Sequence, residues 1–166
     1  MKKPQSLKDH LLSAVSELQR NPDRVLVFAD EGSIRCTLAN GLSFEYVYTL
    51  TLILTDYAGD LAAVSIPTLD WIRFHQPDLL ANLEKAKNAI KFEAEILSND
   101  KVDLMIQIPV TERVIVKQQG TDLSINYPGE PHYHKAEESK TVTLFDKNGA
   151  ALAAWQTRDP EQEFFL

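Results

Sequence analysis

The best spacing for chemistry in this chain is Glu130-Pro-His132-Tyr-His134. A His-x-His pair in a loop can turn two imidazoles onto one metal ion, and Glu130 could add a third ligand. A structural zinc site takes four ligands, and no cysteine pair lies near. The residue types therefore favour an exposed polar loop, and no metal site is expected. His10 and His75 fall on expected helices with no partner evident. Carboxylates pair at Asp30-Glu31, Glu93/Glu95 and Glu137-Glu138. Two carboxylates can divide acid and base work between them, but adjacent or alternating acids more simply make a solvated face. The single cysteine, Cys36, lies in the strand-like run Ile34-Arg-Cys-Thr-Leu38. A nucleophilic thiol needs a base beside it. The sequence identifies none, so Cys36 reads as a small half-buried side chain. The six glycines are too scattered for a phosphate loop. Trp71 and Trp155 read as core anchors. The expectation is no catalytic residue and no cofactor.

Bulk properties agree with an ordinary globular chain. Its 166 residues predict one domain with at most an appendage. A chain of this size can bury roughly 70% of its unfolded surface. A net charge of -7 argues against a broad nucleic-acid footprint, which needs clustered Lys and Arg. One cysteine forms no intrachain disulfide and gives no sign of an oxidising compartment. The longest apolar stretch, Tyr46 to Leu54, is broken by threonines and falls short of the ~20 residues that span a bilayer. Met1-Lys-Lys-Pro is followed by no apolar run, so a secretory signal is not expected and synthesis is expected to be cytoplasmic.

The elements follow from periodicity. Leu7, Leu11, Val15 and Leu18 make one stripe of an amphipathic helix, with Ser6 as the expected cap and Asn21-Pro22 as its stop. Arg24 to Ala29 reads as a strand, Asp30-Glu-Gly-Ser33 as a turn, and Ile34 to Ala39 as the returning strand. Asn40-Gly41 is a second turn signal. Then comes one strand of about a dozen residues, against a usual ~5–6. Phe44, Tyr46, Tyr48, Leu50, Leu52 and Leu54 share one face; Glu45, Val47, Thr49, Thr51, Ile53 and Thr55 share the other. The aromatic and leucine face is expected in the core. Thr49, Thr51, Ile53 and Thr55 are expected to meet solvent, another subunit or a partner. Asp60 to His75 is helical, with Pro67 predicting a kink or a true start near Ser65. Asp78 to Lys87 is open between short helix and loop. Ile90 to Leu97 alternates as a strand, Asn99-Asp-Lys101 turns, and Val102 to Lys117 is a second long strand in which Pro109 marks a bulge or an edge. Gln118 to Lys140 turns to Gly, Pro, Ser, Glu and His, a loop or linker with a short strand at Leu123 to Tyr127. Lys147-Asn-Gly149 between Thr141–Phe145 and Ala150–Thr157 predicts a hairpin. The last residues are acidic and close on Phe164, Phe165 and Leu166, either a loose end or a docking peptide. Helices and strands do not alternate as βαβ, so the fold class is α+β: a mainly antiparallel sheet with long strands, two main helices on one face, and a C-terminal β-hairpin. The expected organisation is a core over 1–117, a linker over 118–140, and the hairpin with its tail over 141–166.

Several of these segments together resemble a known family. Leu7-Lys-Asp-His-Leu-Leu12, Asn21-Pro-Asp-Arg-Val-Leu-Val-Phe28, Leu42-Ser-Phe-Glu-Tyr46, Thr55-Asp56, Trp71-Ile-Arg-Phe-His-Gln-Pro77, Asp78-Leu-Leu-Ala-Asn82 and Thr111-Glu-Arg-Val114 are similar to the tail completion protein R family of contractile-tailed temperate phages. The likeness covers roughly Met1 to Lys117. None of the segments is a catalytic signature; their number and order carry the resemblance. It implies a structural virion protein, a tail terminator, that caps the head-proximal end of a tail tube and prepares it for head joining. Its implied partners are further copies of itself in a ring, expected as a hexamer, the tail tube protein, and sheath and neck or head-completion proteins. DNA would pass through the lumen without specific binding, and no membrane is involved. The implied location is the host cytoplasm during assembly and then the virion. A neck connector or sheath-capping protein is the alternative of the same class, and a metal-binding domain at Glu130, His132 and His134 the alternative of another.

Overall fold

The computed structural model describes residues 1–37, 41–97, 100–131 and 139–157. In chain order these form α1 (Lys3–Ala14), α2 (Ser16–Arg20), a 3-10 turn (Pro22–Arg24), β1 (Val25–Cys36) and β2 (Phe44–Tyr57). Then come α3 (Ala62–His75), α4 (Pro77–Ala81), α5 (Leu83–Ala89), β3 (Lys91–Ile96), β4 (Val102–Gln119), β5 (Asp122–Asn126), β6 (Thr141–Phe145) and β7 (Ala151–Gln156). Every registered pairing is antiparallel. The main sheet runs β1-β2-β4-β3, with β5 added to the far end of β4. This is the α+β architecture expected.

One face of the sheet makes the core. Registered rows run Val25–Leu54–Leu104–Ala94 and Val27–Leu52–Ile106–Phe92 across the four strands. Leu7, Leu11, Val15, Trp71 and Ile72 of the helical layer close over it. The β6–β7 hairpin lies against α1 and α3 and contributes Ala153 and Trp155 to the same core. Trp155 Nε1 donates to Asp70 Oδ2 at 2.8 Å.

Five local expectations change. The one helix expected to run to Asn21 breaks at Val15, whose backbone is extended (φ -111, ψ 110), so α1 and α2 share its stripe. Helix α1 begins at Lys3, not at Ser6, because Pro4 suits a first turn and a distant carboxylate caps the helix, as described below. Ser6 instead accepts a hydrogen bond from Trp71 Nε1 at 3.0 Å. Asp30-Glu-Gly-Ser33 is no turn: β1 continues through it as a bulge, with Glu31 at φ 52 and the β2 register resuming at Ser33. One extra residue on β1 lets it stay paired along β2, so two expected strands are one. Helix α3 starts at Ala62, ahead of Ser65, and carries Pro67 within it. Cys36, expected half-buried, is exposed at the end of β1 opposite Phe44. Pro109 marks an edge and no bulge, since Thr49 faces it in unbroken register.

Candidate assembly surfaces

The free edge of β4 explains how the helices are fastened. Residues of an antiparallel strand point N–H and C=O alternately to either neighbour. On β4, Pro109 and Thr111 point away from β2, at a stretch that neither β3 nor β5 reaches. Pro109 has no N–H to leave unpaired. Thr111 N–H donates to Gln76 Oε1 at 3.0 Å, and its carbonyl accepts from Lys3 Nζ at 2.6 Å. Side chains from α1 and the end of α3 thus close the gap in the ladder.

These contacts belong to one buried polar clamp. Lys3 Nζ also donates to Gln76 Oε1 and Glu130 Oε1, each at 2.9 Å. Glu112 is only 5% exposed and accepts from Lys2 N–H at 2.7 Å, Lys3 N–H at 3.2 Å and the Tyr48 hydroxyl. A carboxylate at this place satisfies orphan donors and complements the helix dipole. Burial lowers the Lys3 pKa, and Glu130 draws it back. Burial, then the bond to Glu112, pushes the Tyr48 hydroxyl well above its ordinary value. The Lys2 ammonium sits 5.1 Å above the Tyr127 ring. Sequence reading missed Lys3, Gln76 and Glu112 because they are far apart in the chain. One signal was available: Glu112 interrupts Leu104, Ile106, Ile108, Val110 and Val114, all on the buried face of β4.

Glu130, expected as a third metal ligand or a loop acid, is committed to Lys3. His132, His134 and Glu137-Glu138 lie outside the described residues, as do Phe164, Phe165 and Leu166. His10 Nε2 lies 3.1 Å from the Pro67 carbonyl, and His75 stacks on Trp71 with ring centroids 4.5 Å apart. Glu93 and Glu95 lie on an exposed strand, Asp30 is exposed at the start of the bulge and Glu31 is exposed within it.

The second face of the sheet bears the threonines. Its rows are Leu26–Ile53–Met105–Glu93, Phe28–Thr51–Gln107–Lys91 and Asp30–Thr49–Pro109. Leu26 and Phe28 are 40% and 45% exposed, and Thr49, Ile53 and Thr55 are half-buried. Thr51 is buried in the middle of the face, and its hydroxyl has no hydrogen-bond partner. The outer strands are open to different degrees: β3 is exposed along all six residues, with Phe92 at 69% and Ile96 at 84%, and β1 is exposed from Phe28 onward, with Val25 buried and Val27 half-buried. This geometry offers apolar side chains and unpaired strand edges among the described residues, and no grouping of nucleophile and base.

The family model of P2 phage tail completion protein R (GpR) matches residues 1–131. This chain belongs to that family. It is 40% identical over 131 residues to tail completion protein R of Escherichia phage P2, covering 79% of this chain and 84% of the relative. No solved structure matches it. Family membership makes it a phage tail structural protein. The matched stretch extends past Lys117 and contains every clamp residue through Glu130, while β6 and β7 lie beyond it. No described helix is long and apolar enough to cross a membrane.

Proposed function

We propose that this chain caps the head-proximal end of a phage tail tube, ends tail growth and prepares the tail for head joining. The observation that carries the reading is membership of the tail completion family over residues 1–131. The structure supports it in kind: a half-bare sheet face and two free edges suit a subunit that is completed by neighbours. The chain works without catalysis, as a ring of its own copies seated on the tube protein, with sheath and neck proteins as further contacts. Thr49, Ile53 and Thr55, together with Leu26 and Phe28, form the surface that meets a neighbour or the tube; Thr51 supports it from beneath. A net charge of -7 suits a lumen through which DNA slides without sticking. The protein assembles in the host cytoplasm and ends in the virion.

The test is electron cryomicroscopy of tails made with and without this chain. A ring at the head-proximal end, and overlong or headless tails in its absence, is the expected result. Normal tails, or density at the neck or on the sheath alone, would overturn the reading.

A further inference from the structure

We propose that the ring is closed by the sheet itself: the free edge of β3 in one subunit pairs antiparallel with the free edge of β1 in the next. The proposal rests on the ring reading above and names the surfaces that make it. Alternation fixes which groups each edge offers. Thr111 points away from β2, so Asp103, Met105 and Gln107 do too, and Lys91, Glu93 and Glu95 face β4. Phe92, Ala94 and Ile96 therefore present N–H and C=O outward. By the same count Leu26, Phe28 and Asp30 face β2, leaving Val27 and Ala29 outward on β1. Val25 N–H is already bonded to the Pro22 carbonyl.

The two edges match in length, face and charge. β3 has six residues, and β1 has six before its bulge, Val25 to Asp30. Set antiparallel and fully overlapped, Phe92 lies opposite Ala29 and Ala94 opposite Val27, both as hydrogen-bonded pairs on the core face. On the other face Lys91 lies opposite Asp30, an attractive cross-strand pair, and Glu93 opposite Phe28. The core of one subunit then continues into the next and covers Phe92. The joined edges are different, so the contact is heterologous and generates a ring where the rotation closes, whereas edge-to-like-edge contact would stop at a dimer.

Non-hydrogen-bonded opposite residues sit close enough for a disulfide. Phe28→Cys and Glu93→Cys are introduced singly and together in a Cys36→Ser background, and purified tails are oxidised. The expected result is a ladder of covalent oligomers from the double variant alone. Ala94→Pro removes one outward N–H while sparing the β3–β4 bonds, and edge strands tolerate proline. Its free chain should keep the parent's thermal midpoint and circular dichroism while the ring at the tail end is lost. A covalent dimer from Glu93→Cys alone, or a ring that survives Ala94→Pro, overturns the proposal. A tail-end ring without any 28–93 cross-link overturns the edge pairing and leaves the capping function standing. Absence of a tail-end ring from parent particles overturns both.

Discussion

On the helical side of the sheet, Leu50, Leu52 and Leu54 are at most 1% exposed; on the opposite side, Leu26 and Phe28 of the adjoining strand are 40% and 45% exposed. Both sides are apolar enough to be buried, and only one has been. Layering explains the difference: α1 and α3, with the β6–β7 hairpin against them, pack on the leucine face, and length leaves the strand ends uncovered as well. Helices α1 and α3, of 12 and 14 residues, reach ~18–21 Å. Strand β4, of 18 residues, reaches ~60 Å. The helical layer cannot cover such strands, and the hairpin lies on the helices instead of extending the cover. The strands are longer than the core of one subunit requires. The excess is what an assembling protein would offer to its neighbours.

Truncation should separate the two faces most sharply. Leu52→Ala removes a fully buried side chain and should cost ~2–5 kcal/mol in denaturant unfolding of the free chain. Phe28→Ala should cost ~1 kcal/mol or less there, yet reduce incorporation into tails. Equal losses of stability would mean that the second face is as much a core as the first. Next in size is the clamp. Glu112→Ala strands two helix N–H groups and the Tyr48 hydroxyl, and should cost ~1–3 kcal/mol by the same measurement.

A pH titration probes the same clamp without mutation. Tyr48 of the clamp, and Tyr57 outside it, are held above their ordinary pKa, so the unfolded chain loses these protons first. Above about pH 10 the unfolded state binds fewer protons than the folded one, and stability falls as pH rises. The lowered Lys3 acts with the opposite sign and below its ordinary value. Unfolding midpoints measured from pH 8 to 11 should therefore drop at the top of the range. Tyr48→Phe should flatten the drop.

What could be read from the residues was what depends on local repetition. The Leu7/Leu11 stripe, the alternation of β2 and the Asn148-Gly149 turn each carry their own signal within a few residues, and each formed. The bulge did not declare itself, because Asp-Glu-Gly-Ser is turn chemistry wherever it occurs. Whether the chain reverses there depends on how far β2 runs alongside. The clamp was hidden for a related reason: Lys3 and Glu112 are joined only once β4 lies beside the start of α1. Ser6 had the local credentials of a cap, and a carboxylate 109 residues away from Lys3 took the role. The bare face was half legible. Its threonines were visible in the alternation, but the exposed Leu26 and Phe28 beside them depend on β1 passing the bulge unbroken.

The smallest expected effect tests whether the bare face is simply wet. Thr51 sits in its centre, flanked in register by Phe28 and Gln107, and is only 3% exposed. Its hydroxyl is buried without a partner, a state that costs free energy in the folded chain. Thr51→Val keeps the shape and removes that hydroxyl, so the free chain should be as stable as its parent or more stable by up to ~1 kcal/mol. A loss of more than ~1 kcal/mol in thermal or denaturant unfolding would show that the hydroxyl is bonded in solution. The middle of this face would then be a hydrated surface, and the contrast with the leucine face would be one of chemistry. If stability holds, Thr51 is a dry spot beneath a surface that is otherwise open, and the two faces differ in coverage alone.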